Sequence, residues 1–260
     1  GMEPDIVLFT SMVDAAFRSG DVRAAEYWQS RSSNAGCVAN KVMLSTLVKG
    51  CAQAGYKEKA LRWATQALES LEAGDDLVIL NCIIDIHAKN ADPSSLKEAT
   101  LALEKIRSPD ERSFGPIINA HAEKGNYEEA LKYFRQMVDD HHIPASVIQY
   151  NQLLKACGRC RPPLAREAER LFGELMALDA SEQRRKFKTR DLRPTRITLK
   201  ALNRCVGARR LAQLCEEHKV DQEELLKMDF NASQQKRESR TIEQRLYEPP
   251  QRLGQKKNMF

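Results

Sequence analysis

Apolar residues recur along this chain at helical spacing, in short blocks punctuated by glycine, proline and small polar residues. Met12, Val13 and Ala16 fall on one helix face, which predicts a helix from about 6 to 18. Gly20 suits the left-handed position that ends a helix. Asp21 then suits a cap, its carboxylate accepting from free backbone N–H groups of the next helix. Ala24, Ala25, Trp28 and Ser32 carry that second helix, which is expected to end near Asn34-Ala35-Gly36.

The same pattern returns about every 35 residues. Thr10-Ser11-Met12-Val13 leads through Arg18-Ser19-Gly20 to Ala24-Ala25. Ser45-Thr46-Leu47-Val48 leads through Gln53-Ala54-Gly55 to Lys59-Ala60. Gly115-Pro116-Ile117-Ile118 leads through Glu123-Lys124-Gly125 to Glu129-Ala130. A fixed period of this length indicates stacked two-helix units, each packing only on its neighbours. The units read as 6–40, 41–76, 77–110, 111–146 and 147–195, with a degenerate sixth at 196–220. First helices are expected to bury Leu47 and Val48, Ile83 and Ile84, Ile117 and Ile118, Leu153 and Leu154. Second helices bring Ala60 and Trp63, Ala99 and Leu103, Ala130 and Phe134, Ala168 and Phe172. The small alanine lets the paired helices approach, and the bulky residue after it fills the groove between units.

Departures are local. The third unit has Ala91 for the glycine and inserts Asp92-Pro93-Ser94-Ser95; the fifth has Arg161-Pro162-Pro163 and a long insert over 177–193. Residues 221–260 are charged, rich in Gln and poor in apolar period, as in a mostly flexible tail with one short helix near 221–229. Residues 1–5 read as the closing positions of a preceding unit, matching His142-Ile143-Pro144-Ala145-Ser146, so the array is expected to continue upstream.

Composition sharpens this in three ways. At 42% hydrophobic and 30% charged, the chain fits a soluble helical protein, and no apolar run is long enough to span a bilayer. Seven cysteines without a framework spacing favour a reducing compartment. The formal charge of +5 is unevenly placed: Lys and Arg against Asp and Glu number 16 to 21 over 1–150, 16 to 6 over 151–211, and 9 to 9 beyond. The basic block points to a polyanion contact there.

Two repeat families pair helices at nearly this period. Tetratricopeptide repeats carry a Trp and a Leu-Gly in the first helix and a Pro closing the second, a pattern absent here. Present instead are Asn81-Cys82-Ile83-Ile84, Asn151-Gln152-Leu153-Leu154, Ser45-Thr46-Leu47-Val48, and a Glu-Glu-Ala-Leu-x-x-Phe-x-x-Met run at 128–137. Over residues 1 to about 218 the chain resembles a pentatricopeptide repeat (PPR) protein. The resemblance implies an all-α right-handed solenoid of paired antiparallel helices, about ten main helices plus a degenerate pair, with first helices on the concave face.

It also implies a non-catalytic protein, without cofactor or small-molecule substrate, that binds single-stranded RNA at one base per repeat. The family's residence implies a mitochondrion or plastid, and its roles imply RNA processing, stability, editing or translation. In the family, each base is read by the fifth residue of the first helix and the last residue of the unit. By position these are Thr10 with Asn40, Ser45 with Asp76, Asn81 with Asp110, Gly115 with Ser146, and Asn151 with Thr195. Short hydrogen-bonding side chains meet a base edge with little loss of rotamer entropy. The second residues, Val7, Val42, Val78, Arg112 and Ile148, are expected to flank the bases. The implied core is 5′-A-G-U-N-Y-3′, with Gly115 reading nothing. The basic insert Arg184, Arg185, Lys186, Lys188 and Arg190, with Phe187 among them, suits either phosphate contact or docking to a ribonucleoprotein surface.

One catalytic pattern needs weighing. His121-Ala122-Glu123 followed by Cys157-Gly158-Arg159-Cys160 imitates the zinc-deaminase signature. The register opposes it: Cys51, His87, His121 and Cys157 hold the same internal place in consecutive units, as packing residues would. The proline before the first Cys is missing, and no strand-rich segment separates the halves. The alternative to RNA reading is an α-solenoid scaffold for protein partners, such as a ribosome-associated subunit. The acidic 1–150 half and Gly115 speak for that alternative.

Overall fold

The computed structural model describes residues 5–70, 76–90, 92–180, 192–222 and 225. Among these residues there are twelve α-helices and no strand. They form six hairpins: α1 (Ile6–Arg18) with α2 (Val22–Asn34), α3 (Lys41–Gln53) with α4 (Lys57–Ser70), and α5 (Leu77–Asn90) with α6 (Pro93–Glu104). Then come α7 (Glu111–Lys124) with α8 (Tyr127–Arg135), α9 (Val147–Arg159) with α10 (Ala165–Ala180), and α11 (Arg196–Val206) with α12 (Ala208–Glu217). A π-helical turn, Gln136–Asp140, prolongs α8.

The hairpins form where capping chemistry and period agree. Asp21 accepts from the Ala24 backbone N–H at 2.9 Å and so starts α2. Gly20, Gly55 and Gly125 all take positive φ at the turns. At Gly125 a Cβ would also lie 2.9 Å from the Arg159 carbonyl oxygen of the next unit, so a side chain is excluded on two grounds.

Each first helix packs on the next, from α1 through α3, α5, α7 and α9 to α11, and on its own second helix. The result is an all-α right-handed solenoid. Its core is a strip rather than a centre: one apolar cluster runs from Leu80 to Cys215, and smaller ones serve the first two units. Ala25, Ala60, Ala99, Ala130 and Ala168 are fully buried, so the small residue at each hairpin contact is satisfied in all five units. Close packing there leaves no space for a larger side chain.

Two packing details differ from the repeat pattern. Leu103, Phe134 and Phe172 are buried four positions beyond the alanine, but in the second unit that place is Ala64. Trp63, one residue earlier, is half-buried and touches three apolar clusters, so it serves as the bulky group. Ile83 is half-buried while Ile84 is buried, because Ile83 sits at the seam between two clusters. None of the seven cysteines forms a disulfide.

Candidate nucleic-acid interface

The closing residue of each unit is the N-cap of the next first helix. Asn40 Oδ1 accepts from Met43 N–H at 3.0 Å, and Asp76 Oδ1 from Val78 N–H at 2.9 Å and Ile79 N–H at 3.2 Å. Asp110 Oδ1 accepts from Arg112 N–H at 2.9 Å and Ser113 N–H at 3.1 Å. Ser146 Oγ and Thr195 Oγ1 accept from Ile148 N–H at 3.3 Å and Thr198 N–H at 3.4 Å. Asp5, ahead of the first unit, caps α1 through Leu8 N–H at 2.8 Å. The small polar residues suited to base contact are thus the residue types a helix start requires.

Within the five pairs the side chains are engaged differently. In the third unit, Asn81 Nδ2 donates to Asp110 Oδ1 at 3.1 Å, and Asn81 Oδ1 accepts from Ser113 Oγ at 2.7 Å. In the second unit, Asp76 is buried and its second oxygen pairs with Lys41 Nζ at 2.9 Å. In the fourth, Ser146 is buried and its hydroxyl lies 3.0 Å from Glu111 Oε1 and 2.6 Å from Gln149 Oε1. Thr10 Oγ1 donates back to the Ile6 carbonyl at 2.7 Å, and Ser45 Oγ bonds back to the Lys41 carbonyl. Around the missing side chain of Gly115, nothing lies within 4 Å of where a Cβ would stand. Gln152 Nε2 reaches the Gly115 carbonyl at 3.4 Å, while the buried Asn151 Oδ1 and Gln152 Oε1 have no hydrogen-bond partner.

The flanking residues form an exposed row on the first helices: Val7 is 65% exposed, Val42 62%, Val78 37% and Ile148 57%, and Arg112 is exposed as well. Ile197, not among the expected flanking residues, extends the row into the sixth unit at 66% exposed. A groove of about 740 Å³ runs along α3, α5, α7 and α9. Asn81, Asp110, Gly115, Val78, Arg112 and Ile148 all line it. It is built wholly from first helices and closing residues.

Ser113, Lys41, Glu111 and Gln149, which bind the pair members, were not singled out from the sequence. For two of them a signal was present. Asp110 with Ser113, and Ser146 with Gln149, are reciprocal capping boxes, in which the third helical residue bonds back to the cap's backbone.

Arg184, Arg185, Lys186, Lys188 and Arg190 lie outside the described residues, as do Phe187, Ala91 and most of the helix expected near 221–229. Several other basic residues of the 151–211 block are occupied by carboxylates. Lys155 and Arg159 both bind Glu123, Arg170 binds Glu167 at 2.9 Å, and Arg210 binds Glu169 at 2.8 Å. The hydrogen bond from Lys155 holds the Glu123 carboxyl below its ordinary value, and those from Arg170 and Arg210 do the same for Glu167 and Glu169.

The residues of the deaminase-like pattern have other occupations. His121 stacks on Tyr133 with ring centroids 5.6 Å apart, and burial pushes its imidazole pKa down. Glu123 is held by Lys155 and Arg159. Cys157 is buried in the core, which drives its thiol pKa up, and Cys160 Sγ donates to the Gly125 carbonyl at 3.1 Å. Among the described residues no three His, Cys, Asp or Glu are grouped to hold a metal ion.

Stacked helical hairpins with one polar and apolar row repeated along the inner helices define an α-solenoid repeat protein. The family model described as PPR repeat matches residues 42–63 and 112–142. Three Arabidopsis thaliana relatives are pentatricopeptide repeat-containing proteins. At3g20730 is 26% identical over 118 residues, 45% of this chain and 20% of the relative. At3g09650, chloroplastic, is 24% identical over 66% of this chain and 22% of its own length. At2g03380, mitochondrial, is 22% identical over 60% and 22%. The chain therefore spans about a fifth of the length of these relatives. In structure it is similar to the pentatricopeptide repeat protein PPR10 from maize, with a TM-score of 0.62 at 19% identity over 83% of this chain and 28% of that one. It is also similar to PPR10 in complex with an 18-nt psaJ RNA element, at a TM-score of 0.58, 19% identity, and 83% and 29% coverage. The chain thus carries matches to the PPR repeat over residues 42–63 and 112–142 and shares its fold with pentatricopeptide repeat proteins.

Proposed function

We propose that this chain binds single-stranded RNA along the groove of its first helices, one base to each repeat, and carries out no chemistry on it. The observation that carries the reading is the repeating row within that groove. Apolar or planar flanks (Val78, Arg112, Ile148) recur at the spacing of the units, with the short hydrogen-bonding pair Asn81 and Asp110 between the first two. Such an arrangement offers faces on which unstacked bases pack and polar edges that select among them. The similarity to a protein solved with an RNA element supports it. The pairs favour a core of 5′-A-G-U-N-Y-3′, in which the fourth base is unread because Gly115 has no side chain. Residence in a mitochondrion or plastid, and a role in processing, stability, editing or translation of transcripts there, follow from the same reading. The organelle names of two relatives support the residence.

One observation favours the scaffold alternative. Asp76 and Ser146 are buried and engaged by Lys41, Glu111 and Gln149, so two of the five closing side chains are already committed. Fluorescence anisotropy titration separates the readings. The RNA-reading account expects a single strand carrying the A-G-U core to bind about tenfold or more tightly than the same nucleotides scrambled, since each well-formed base contact discriminates by about 1–3 kcal/mol. Equal affinity for both would favour the scaffold.

A further inference from the structure

We propose that Ser113, a residue of the fourth unit, sets the base choice of the third unit by fixing which way the Asn81 amide faces. This rests on the reading above, in which Asn81 meets a base. An unrestrained asparagine amide turns over readily, and its oxygen and nitrogen then exchange places. Here both ends are held. Ser113 Oγ, on a fully buried residue, donates to Asn81 Oδ1 at 2.7 Å, and Asn81 Nδ2 donates to Asp110 Oδ1 at 3.1 Å. Turning the amide over would set its oxygen against the Asp110 carboxylate and cost the Ser113 proton its acceptor on Asn81, leaving it the longer contact to Asp110. Ser113 is itself anchored, because its oxygen accepts from the Asp110 backbone N–H at 3.1 Å. Its hydroxyl also lies 3.1 Å from Asp110 Oδ1, so the shorter bond to Asn81 takes the proton.

After these bonds, Asn81 retains one N–H and one oxygen lone pair, and with the amide fixed each keeps its own direction. The pairing edges of bases come in two orders. Uracil and guanine present a carbonyl beside a ring N–H; cytosine and adenine present an amino group beside a ring nitrogen acceptor. On a strand of given polarity, an amide that cannot turn over matches only one of these orders. Ser113 therefore separates keto from amino bases at this position, and with uracil expected there, the distinction it guards is uracil over cytosine.

Other units lack this arrangement. The residue in the place of Ser113 is Met43 behind the first pair, Ile79 behind the second and Gln149 behind the fourth. Behind the fifth it is Thr198, which is buried and bonds to Thr195. Thr198 also indicates that a threonine fits this helical position.

The test measures affinity for four single-stranded RNAs that share the A-G-U core except at the base facing the third unit, and for a fifth in which the adenine facing the first unit is changed. The chain is compared with Ser113→Ala, Ser113→Cys and Ser113→Thr. We expect the unmodified chain to favour uracil over cytosine by about tenfold, and Ser113→Ala to bring that ratio within about twofold of unity. Ser113→Cys, whose thiol is a weak donor, should lose the preference likewise and serves if the alanine variant does not fold. Ser113→Thr should keep most of it, and the adenine preference at the first unit should stay unchanged throughout. An alanine or cysteine variant with the original ratio would overturn the inference. So would a threonine variant that loses the ratio as fully as alanine, or a parallel loss at the first unit, since either points to packing. A chain with no base preference here before any substitution would instead contradict the RNA reading itself.

Discussion

Asp110 serves two functions through one oxygen, capping α7 and holding the amide of Asn81. Asp21 has only the first, on the N-terminus of α2. Comparing the two isolates the value of each role. Asp21→Ala and Asp110→Ala should each lower stability by about 1 kcal/mol in denaturant titrations, the ordinary cost of losing a cap. Only Asp110→Ala should also abolish the uracil preference at the third unit. Equal effects of both variants on RNA binding would mean that helix stability, not base contact, is what Asp110 contributes. The caps themselves were open to inspection in the sequence, because Asn, Asp, Ser and Thr preceding an apolar run announce a helix start. What was not legible is how the closing side chains are shared. Lys41 with Asp76, Glu111 with Ser146 and Ser113 with Asn81 are bonds across about one repeat length, and nothing local in the chain encodes which of two nearby acceptors a hydroxyl or ammonium will choose.

At the scale of the element, the hairpin is built on one small residue. Ala130 is fully buried where α7 and α8 meet, with Leu131 and Phe134 packed around it. Ala130→Leu should cost about 1–3 kcal/mol through overpacking, read as a lowered denaturation midpoint. The exposed Ala212 on α12 should accept the same change with little loss. An Ala130 variant as stable as the original would mean that the helices part easily and the hairpin contact is not tight. The helices α1 and α2 fall close to the bounds expected from the sequence, because apolar spacing, the Asp21 cap and the turn glycine agree there. The π-helical turn at Gln136–Asp140 was not legible, since its residues continue the helical period without a break. Trp63, by contrast, was legible as the bulky group of the second unit, although it stands one residue ahead of the place that Leu103, Phe134 and Phe172 take in theirs.

At the scale of the molecule, stability and recognition share one plan. Each hairpin rests on its neighbours, so the same stacking that buries the apolar strip also lines up the polar and apolar row of the groove. That repetition is why the fold and the order of the candidate positions could be taken from the sequence, while the detailed bonding at each position could not. The basic block of the C-terminal half is partly spent on Glu123, Glu167 and Glu169, so its charge count overstates the positive surface offered by the described residues. The most direct test of the account is selection of bound sequences from a randomised single-stranded RNA pool, on the chain and on Asn81→Thr. The account predicts an enriched core resembling A-G-U in the original and a changed preference at the third base alone in the variant. No enrichment, or an enriched sequence that is the same for both proteins, would contradict repeat-by-repeat reading of RNA.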